Sequence, residues 1–150
     1  KQKYAIDRVL ICGGSMGGTS ALTFAALHPE LIDGAASLNG HANHLEYEKF
    51  QEAIAESFGG TKREIPEEYK RRSAEYWPER LTMPVAITTG GRDDLVPPES
   101  ALRLGGILKR LQPHVLVIHR PEGGHATNYA DSVEAIEFLF QHTLGDAKAP

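Results

Sequence analysis

The chain has one cysteine and one tryptophan in 150 residues, and no apolar run long enough to cross a bilayer. The lone thiol, Cys12, has no partner for an internal disulfide, so a disulfide-stapled fold is excluded. Because Cys12 lies inside an apolar run, a small buried thiol is expected there. A zinc centre is not expected, since neither a cysteine pair nor His41-Ala42-Asn43-His44 makes a recognised ligand pattern. Charge of one sign is also scarce. Sixteen Lys and Arg face twenty Asp and Glu, for a net charge of −4. Lys62-Arg63 and Arg71-Arg72 are interleaved with glutamates, so no basic patch for nucleic acid is expected. The first residues, 1–7, carry no signal-type apolar core, and no membrane partner is expected of a soluble chain.

What is present fits one ordinary globular domain. With 41% hydrophobic and 24% charged residues, a chain of this length buries roughly two-thirds of its unfolded surface. Strand and helix patterns alternate without tight hairpin signals, which predicts an α/β fold with an open, mostly parallel sheet of about four strands. Strands are expected at about 8–12, 32–38, 85–89 and 115–118. Tyr4 and Ile6 are expected to pack ahead of the first, and its near-continuous apolar run predicts burial on both faces. A helix follows Ser15 and stops at His28-Pro29. Another starts at Pro97-Pro98 with Ala101, Leu104, Leu108 and Leu111 on its apolar face, and a last one spans about 130–142 with Val133, Ile136, Leu139 and Phe140 inward. Between strands two and three, residues 41–78 form a helical insertion, with helices expected at about 44–57 and 66–76. Such an insertion lies over a site or at the periphery. No repeat or low-complexity stretch is evident.

The most informative stretch is Val9-Leu10-Ile11-Cys12-Gly13-Gly14-Ser15-Met16-Gly17-Gly18. A strand pattern runs into a glycine cluster with one serine, and a helix pattern follows at once. That is the setting of a Gly-x-Ser-x-Gly nucleophile elbow. A serine at so sharp a turn needs neighbours that bring no side chain against strand or helix. The helix start also presents backbone N–H groups, that of Met16 first, where an oxyanion would form. A dinucleotide loop does not fit, because Cys12 or Ser15 stands where Gly-x-Gly-x-x-Gly needs glycine. A phosphate loop does not fit either, since Gly18-Thr19-Ser20 has no lysine. An inert serine in a close-packed turn fits the pentapeptide equally well.

The rest of the chain decides between these. Ligands in open parallel sheets sit beyond the carboxyl ends of the strands. Ser15, Asp93 or Asp94, and His125 each follow a strand, so one topology brings a hydroxyl, a carboxylate and an imidazole to one edge. A serine nucleophile needs a base, and the base needs a carboxylate to orient it. Singly, the aspartates read as turn or helix caps and His125 as an exposed loop residue.

Taken together, Asp7 to Gly18, Pro84-Val85-Ala86-Ile87 leading to Gly90-Gly91-Arg92-Asp93-Asp94-Leu95-Val96-Pro97, and Gly123-Gly124-His125 resemble the α/β-hydrolase superfamily, in its dienelactone hydrolase and prolyl-oligopeptidase-like esterase branch. The resemblance implies the triad Ser15, Asp93 and His125, with the acid at Asp93 in Gly-x-x-Asp-x-x-Val-Pro. It implies a serine esterase that acts on a small-molecule carboxylic ester and needs no cofactor. Asn39 and His41, after the second strand, are expected to line the substrate pocket. The chain resembles the C-terminal half of such a fold, so a second polypeptide or another copy is expected to cover the first-strand edge. A non-catalytic fragment and a prolyl-oligopeptidase-type peptidase are the alternatives.

Overall fold

The computed structural model describes residues 6–144; Tyr4 lies outside them. Four parallel strands in the order β1-β2-β3-β4 form the sheet: β1 (Leu10–Gly14), β2 (Gly34–Leu38), β3 (Val85–Gly90) and β4 (Val115–Arg120). Helices α1 (Met16–Leu27), α4 (Glu99–Leu111) and α5 (Tyr129–Thr143) follow β1, β3 and β4. The segment between β2 and β3 carries α2 (Gln51–Phe58), α3 (Pro66–Arg71) and short 3-10 turns at Ala74–Tyr76 and Pro78–Arg80.

Successive strand residues point to opposite faces, and this alternation divides the core in two. Ala35, Val85 and Ile87 join Leu22, Ala25, Leu104 and Leu108 beneath α1 and α4. Ala36 and Ala86 face the other way, onto Ala135 and Leu139 of α5. Alanines at these two strand positions let α5 lie close to the sheet. As a result the inward stripe of α5 is Asp131, Ala135, Leu139 and Thr143, at intervals of four. Ile136 and Phe140, expected inward, are exposed.

β1 departs from expectation in the same way. It pairs only with β2 among the described residues, and its burial is partial, with Cys12 and Gly14 exposed. Cys12 is therefore not the buried thiol expected from its apolar surroundings. Burial of part of its surroundings still pushes the thiol pKa up. Ile6 is exposed as well.

The insertion is less helical than its spacing predicts. Asn43 Oδ1 accepts from Leu45 N at 3.0 Å and Glu46 N at 3.3 Å, which closes a local turn where a helix was expected. Phe50 then takes a left-handed φ of 53°, so α2 starts only at Gln51. The segment is fastened to the two helices of the larger core. Thr23 Oγ1 donates to Arg72 O, Ala42 N donates to Ser100 Oγ, and Arg103 bridges Glu46 and Glu75.

Candidate active site

Ser15 occupies the turn between β1 and α1 with φ 55° and ψ −121°, a backbone conformation that a side-chain-bearing residue adopts only under constraint. The constraint is visible. Ser15 N donates to Leu38 O at 2.7 Å, and Thr19 N donates back to Ser15 O at 3.1 Å. Gly13 could not carry a Cβ, because Gly17 backbone atoms stand inside contact distance of that position. Gly17 itself faces open space, so its part is to let its main chain approach Gly13.

His125 comes from the loop after β4 and Asp93 from the loop after β3. His125 Nε2 lies 2.8 Å from Ser15 Oγ, and Nδ1 lies 2.8 Å from Asp93 Oδ2. The remaining carboxylate oxygen, Oδ1, accepts from Leu95 N at 3.1 Å and Val96 N at 2.9 Å. Asp93 is buried, whereas Asp94 is exposed. A carboxylate held by two N–H groups on one oxygen has its other oxygen fixed toward the ring, which selects the tautomer with the proton on Nδ1. That leaves Nε2 free to accept from the serine hydroxyl. The N–H of Met16, first residue of α1, has no partner within the helix and lies next in sequence to the hydroxyl-bearing residue.

The model of the prolyl oligopeptidase family matches residues 1–146. This chain belongs to the prolyl oligopeptidase family. No curated protein matches the sequence. Solved structures give the same fold: a puromycin hydrolase, 21% identical, aligns over 99% of this chain and 24% of its own with a TM-score of 0.76. The acylaminoacyl peptidase of Pyrococcus horikoshii, 18% identical, covers 96% of this chain and 25% of its own with a TM-score of 0.74. Acetyl xylan esterase 1 of Thermoanaerobacterium sp., 20% identical, covers 89% and 45% with a TM-score of 0.66. The chain thus spans about a quarter of the first two proteins and under half of the third, and these likenesses establish an α/β-hydrolase-type fold.

Within this prolyl oligopeptidase family chain, Asn39 and His41, expected to line the substrate pocket, lie in different surroundings. Asn39 is buried, and its amide is fully bonded, to Gly124, His125 and Thr127 of the His125 loop and to Thr88 of β3. It lines a cavity of about 250 Å³ with Thr88, Arg120, Thr127 and Asp131, which none of Ser15, Asp93 and His125 borders. The His41 ring stacks on Tyr47 at 4.1 Å and meets His44 edge-on at 4.6 Å. Burial, with the charge of His44 nearby, lowers its pKa to about 3, and burial lowers that of His44 to about 4. Both rings are therefore neutral at ordinary pH. His41 borders a second cavity of about 300 Å³, between Tyr47 and the start of α4, which Ser15, Asp93 and His125 do not line either.

One side chain escaped the sequence reading as a contributor to the site. The Tyr47 hydroxyl donates to Leu95 O at 3.0 Å, bracing the turn that supplies N–H groups to Asp93. Asn39 was read as a pocket-lining residue, and the signal for its backbone role was the Asn-Gly dipeptide, which favours positive φ; Asn39 has φ 53°. Among the described residues no group of three or more His, Cys, Asp or Glu side chains is placed to hold a metal ion.

Proposed function

We propose that this chain carries the catalytic centre of a serine hydrolase that cleaves carboxylic esters through an acyl-enzyme. Ser15 Oγ adds to the ester carbonyl as its proton passes to His125 Nε2. The Met16 N–H donates to the oxyanion, and Asp93 Oδ2 holds the imidazolium formed. Collapse of the tetrahedral adduct expels the alkoxide, which takes the proton back from Nε2. Water then repeats the sequence on the acyl-serine, its proton passing through His125 and Ser15 leaving as the free hydroxyl.

The observation that carries the reading is the unbroken chain Ser15 Oγ, His125, Asp93, with both links at 2.8 Å. Esters suit it better than amides, because an alkoxide leaves more readily than an amine and demands less of the oxyanion donors. The Met16 N–H, at the start of α1, is the donor assigned to this role. One missing donor costs about 10²–10³-fold in rate. A peptide-bond substrate is the second reading, favoured by the family match.

The test is labelling with a fluorophosphonate probe. The native chain should label stoichiometrically and Ser15→Ala should not; retained labelling in that variant would remove Ser15 from its role. Turnover of p-nitrophenyl acetate against a p-nitroanilide of the same acyl group separates the two substrate readings. Folded protein that neither labels nor turns over would favour the non-catalytic alternative.

A further inference from the structure

Residues 124–127, the stretch that carries His125, make no backbone-to-backbone hydrogen bond among the described residues. Two glycines precede the histidine, and nothing in the main chain stiffens this segment. Its hold comes from side chains: His125 itself bonds Ser15 and Asp93, Thr127 Oγ1 lies 3.2 Å from Thr88 Oγ1, and the two carbonyls bonded here are held by Asn39, just after β2. Asn39 Nδ2 donates to His125 O at 2.7 Å and to Gly124 O at 3.1 Å, while Asn39 Oδ1 accepts from Thr127 Oγ1 at 2.8 Å and Thr88 Oγ1 at 2.9 Å. A carbonyl can only accept, so the two carbonyl contacts fix which end of the amide is nitrogen. All four bonding positions of the amide are filled, and the residue is 5% exposed. A buried polar group satisfied at every position is held in one orientation.

Asn39 has a left-handed φ of 53°, where glycine would sit without strain. A side chain at such a position has to contribute something that glycine lacks. The neighbouring residue, Leu38, accepts the Ser15 N–H at 2.7 Å. Two consecutive residues at the end of β2 therefore grip the nucleophile on one side and the loop of the base on the other.

We infer that Asn39 is a positioning residue, whose amide sets the reach of His125 to Ser15 by clamping the carbonyls of Gly124 and His125. Its kinetic consequence rests on the hydrolase reading above; its geometric consequence does not. Without the clamp the 124–127 loop has one hydroxyl contact fewer, that of Thr127, and two carbonyls free, and the imidazole samples positions away from the serine. Misplacing a catalytic group by about 1 Å can lower a rate about a hundredfold.

Two variants test this in the full chain. Asn39→Gly removes the amide and relieves the dihedral, while Asn39→Asp keeps the shape and the threonine contacts but cannot donate to the carbonyls. The first readout is the downfield proton resonance of the His125 Nδ1–H bridging to Asp93, which is visible only while the ring is held out of solvent exchange. The second is the rate of fluorophosphonate labelling, with kcat and KM on p-nitrophenyl acetate. Both variants should keep the native circular dichroism, lose the resonance, label about 10- to 100-fold more slowly, and lower kcat at unchanged KM. A persisting resonance with labelling within twofold of the native chain overturns the inference. Unfolding of both variants where the native chain is folded also overturns it, by making Asn39 a stability residue. A native chain that fails to label defeats the hydrolase reading alone, and the resonance still decides the clamp.

Discussion

His125 Nδ1 meets a carboxylate oxygen of Asp93 at 2.8 Å, and the other oxygen of that carboxylate is already taken by the N–H groups of Leu95 and Val96. The acid is thereby held from behind, and its only free direction is toward the imidazole. In Asp93→Asn the amide can still accept those two N–H groups through its oxygen, which turns its NH₂ toward His125. The ring must then place its proton on Nε2, where it cannot accept from Ser15. We expect kcat on p-nitrophenyl acetate to fall by about 10⁴-fold with the melting temperature little changed. A loss of less than tenfold would show that Asp93 does not set the tautomer.

Gly13→Ala addresses the elbow by sterics alone. The added methyl meets backbone atoms of Gly17, which cannot rotate away as a side-chain end would. Overpacking of this kind costs about 1–3 kcal/mol, and the turn must shift to relieve it. Lower urea resistance together with slower probe labelling is expected. Gly17→Ala, whose methyl points into open space, should be the milder of the pair in the same measurements.

The buried imidazoles give stability a pH dependence of known sign. His41 and His44 have folded pKa values of about 3 and 4 against an ordinary 6.5, so between these limits the unfolded chain binds more protons. Stability should be flat above pH 6.5 and fall as pH drops toward 4. Glu68, held to about 2 first by its hydrogen bond from Arg71, and Asp131, lowered chiefly by Arg120, add their losses only in more acid solution. Urea midpoints taken from pH 7.5 to 4.5 should therefore slope downward in the native chain. His41→Phe keeps a ring against Tyr47 and should flatten that slope; an unchanged slope would assign it elsewhere.

Helix α5 starts at an asparagine cap. Asn128 Oδ1 accepts from Asp131 N at 2.8 Å, and Asn128 Nδ2 donates to Asp131 Oδ2 at 3.0 Å. Asn128→Ala should lower stability by about 1 kcal/mol, read as a drop in melting temperature. No change would mean that the ion pair of Asp131 with Arg120 holds the helix start unaided.

The parts of this molecule legible in the sequence were those set by local pattern. Apolar runs followed by glycines or prolines marked all four strands, and Gly13-Gly14-Ser15-Met16-Gly17 marked the turn, because each depends on residues within a few positions. Ser15, Asp93 and His125 were legible as a group because parallel topology puts every strand-end loop on one side. Cys12 and the Ile136 and Phe140 pair were misread for a different reason. Their exposure depends on which strand lies at the edge and how closely α5 approaches Ala36 and Ala86, and hydrophobicity does not encode either. The Asn39 amide was invisible for the same cause, since its four partners are 49 or more residues away in the chain.

Among the described residues the outer edge of β1 has no strand partner beside the Ser15 turn, an arrangement that invites pairing by a further strand. We propose that a second polypeptide or another copy of the chain covers this edge. Light scattering of the purified material should then give a mass above that of one chain, and a monomer at micromolar concentration would count against such cover.

The position of Cys12 makes that question accessible to simple chemistry. It is the sole sulfhydryl of the chain, it sits on the edge strand three residues before Ser15, and solvent reaches it. A maleimide reagent thus acts as a built-in footprint of the rim: modification proceeds while the flank is bare and slows when something docks there. Occupancy of the flank and probe capture at the serine can be followed in one mass spectrum, since each adduct adds its own increment to the same polypeptide.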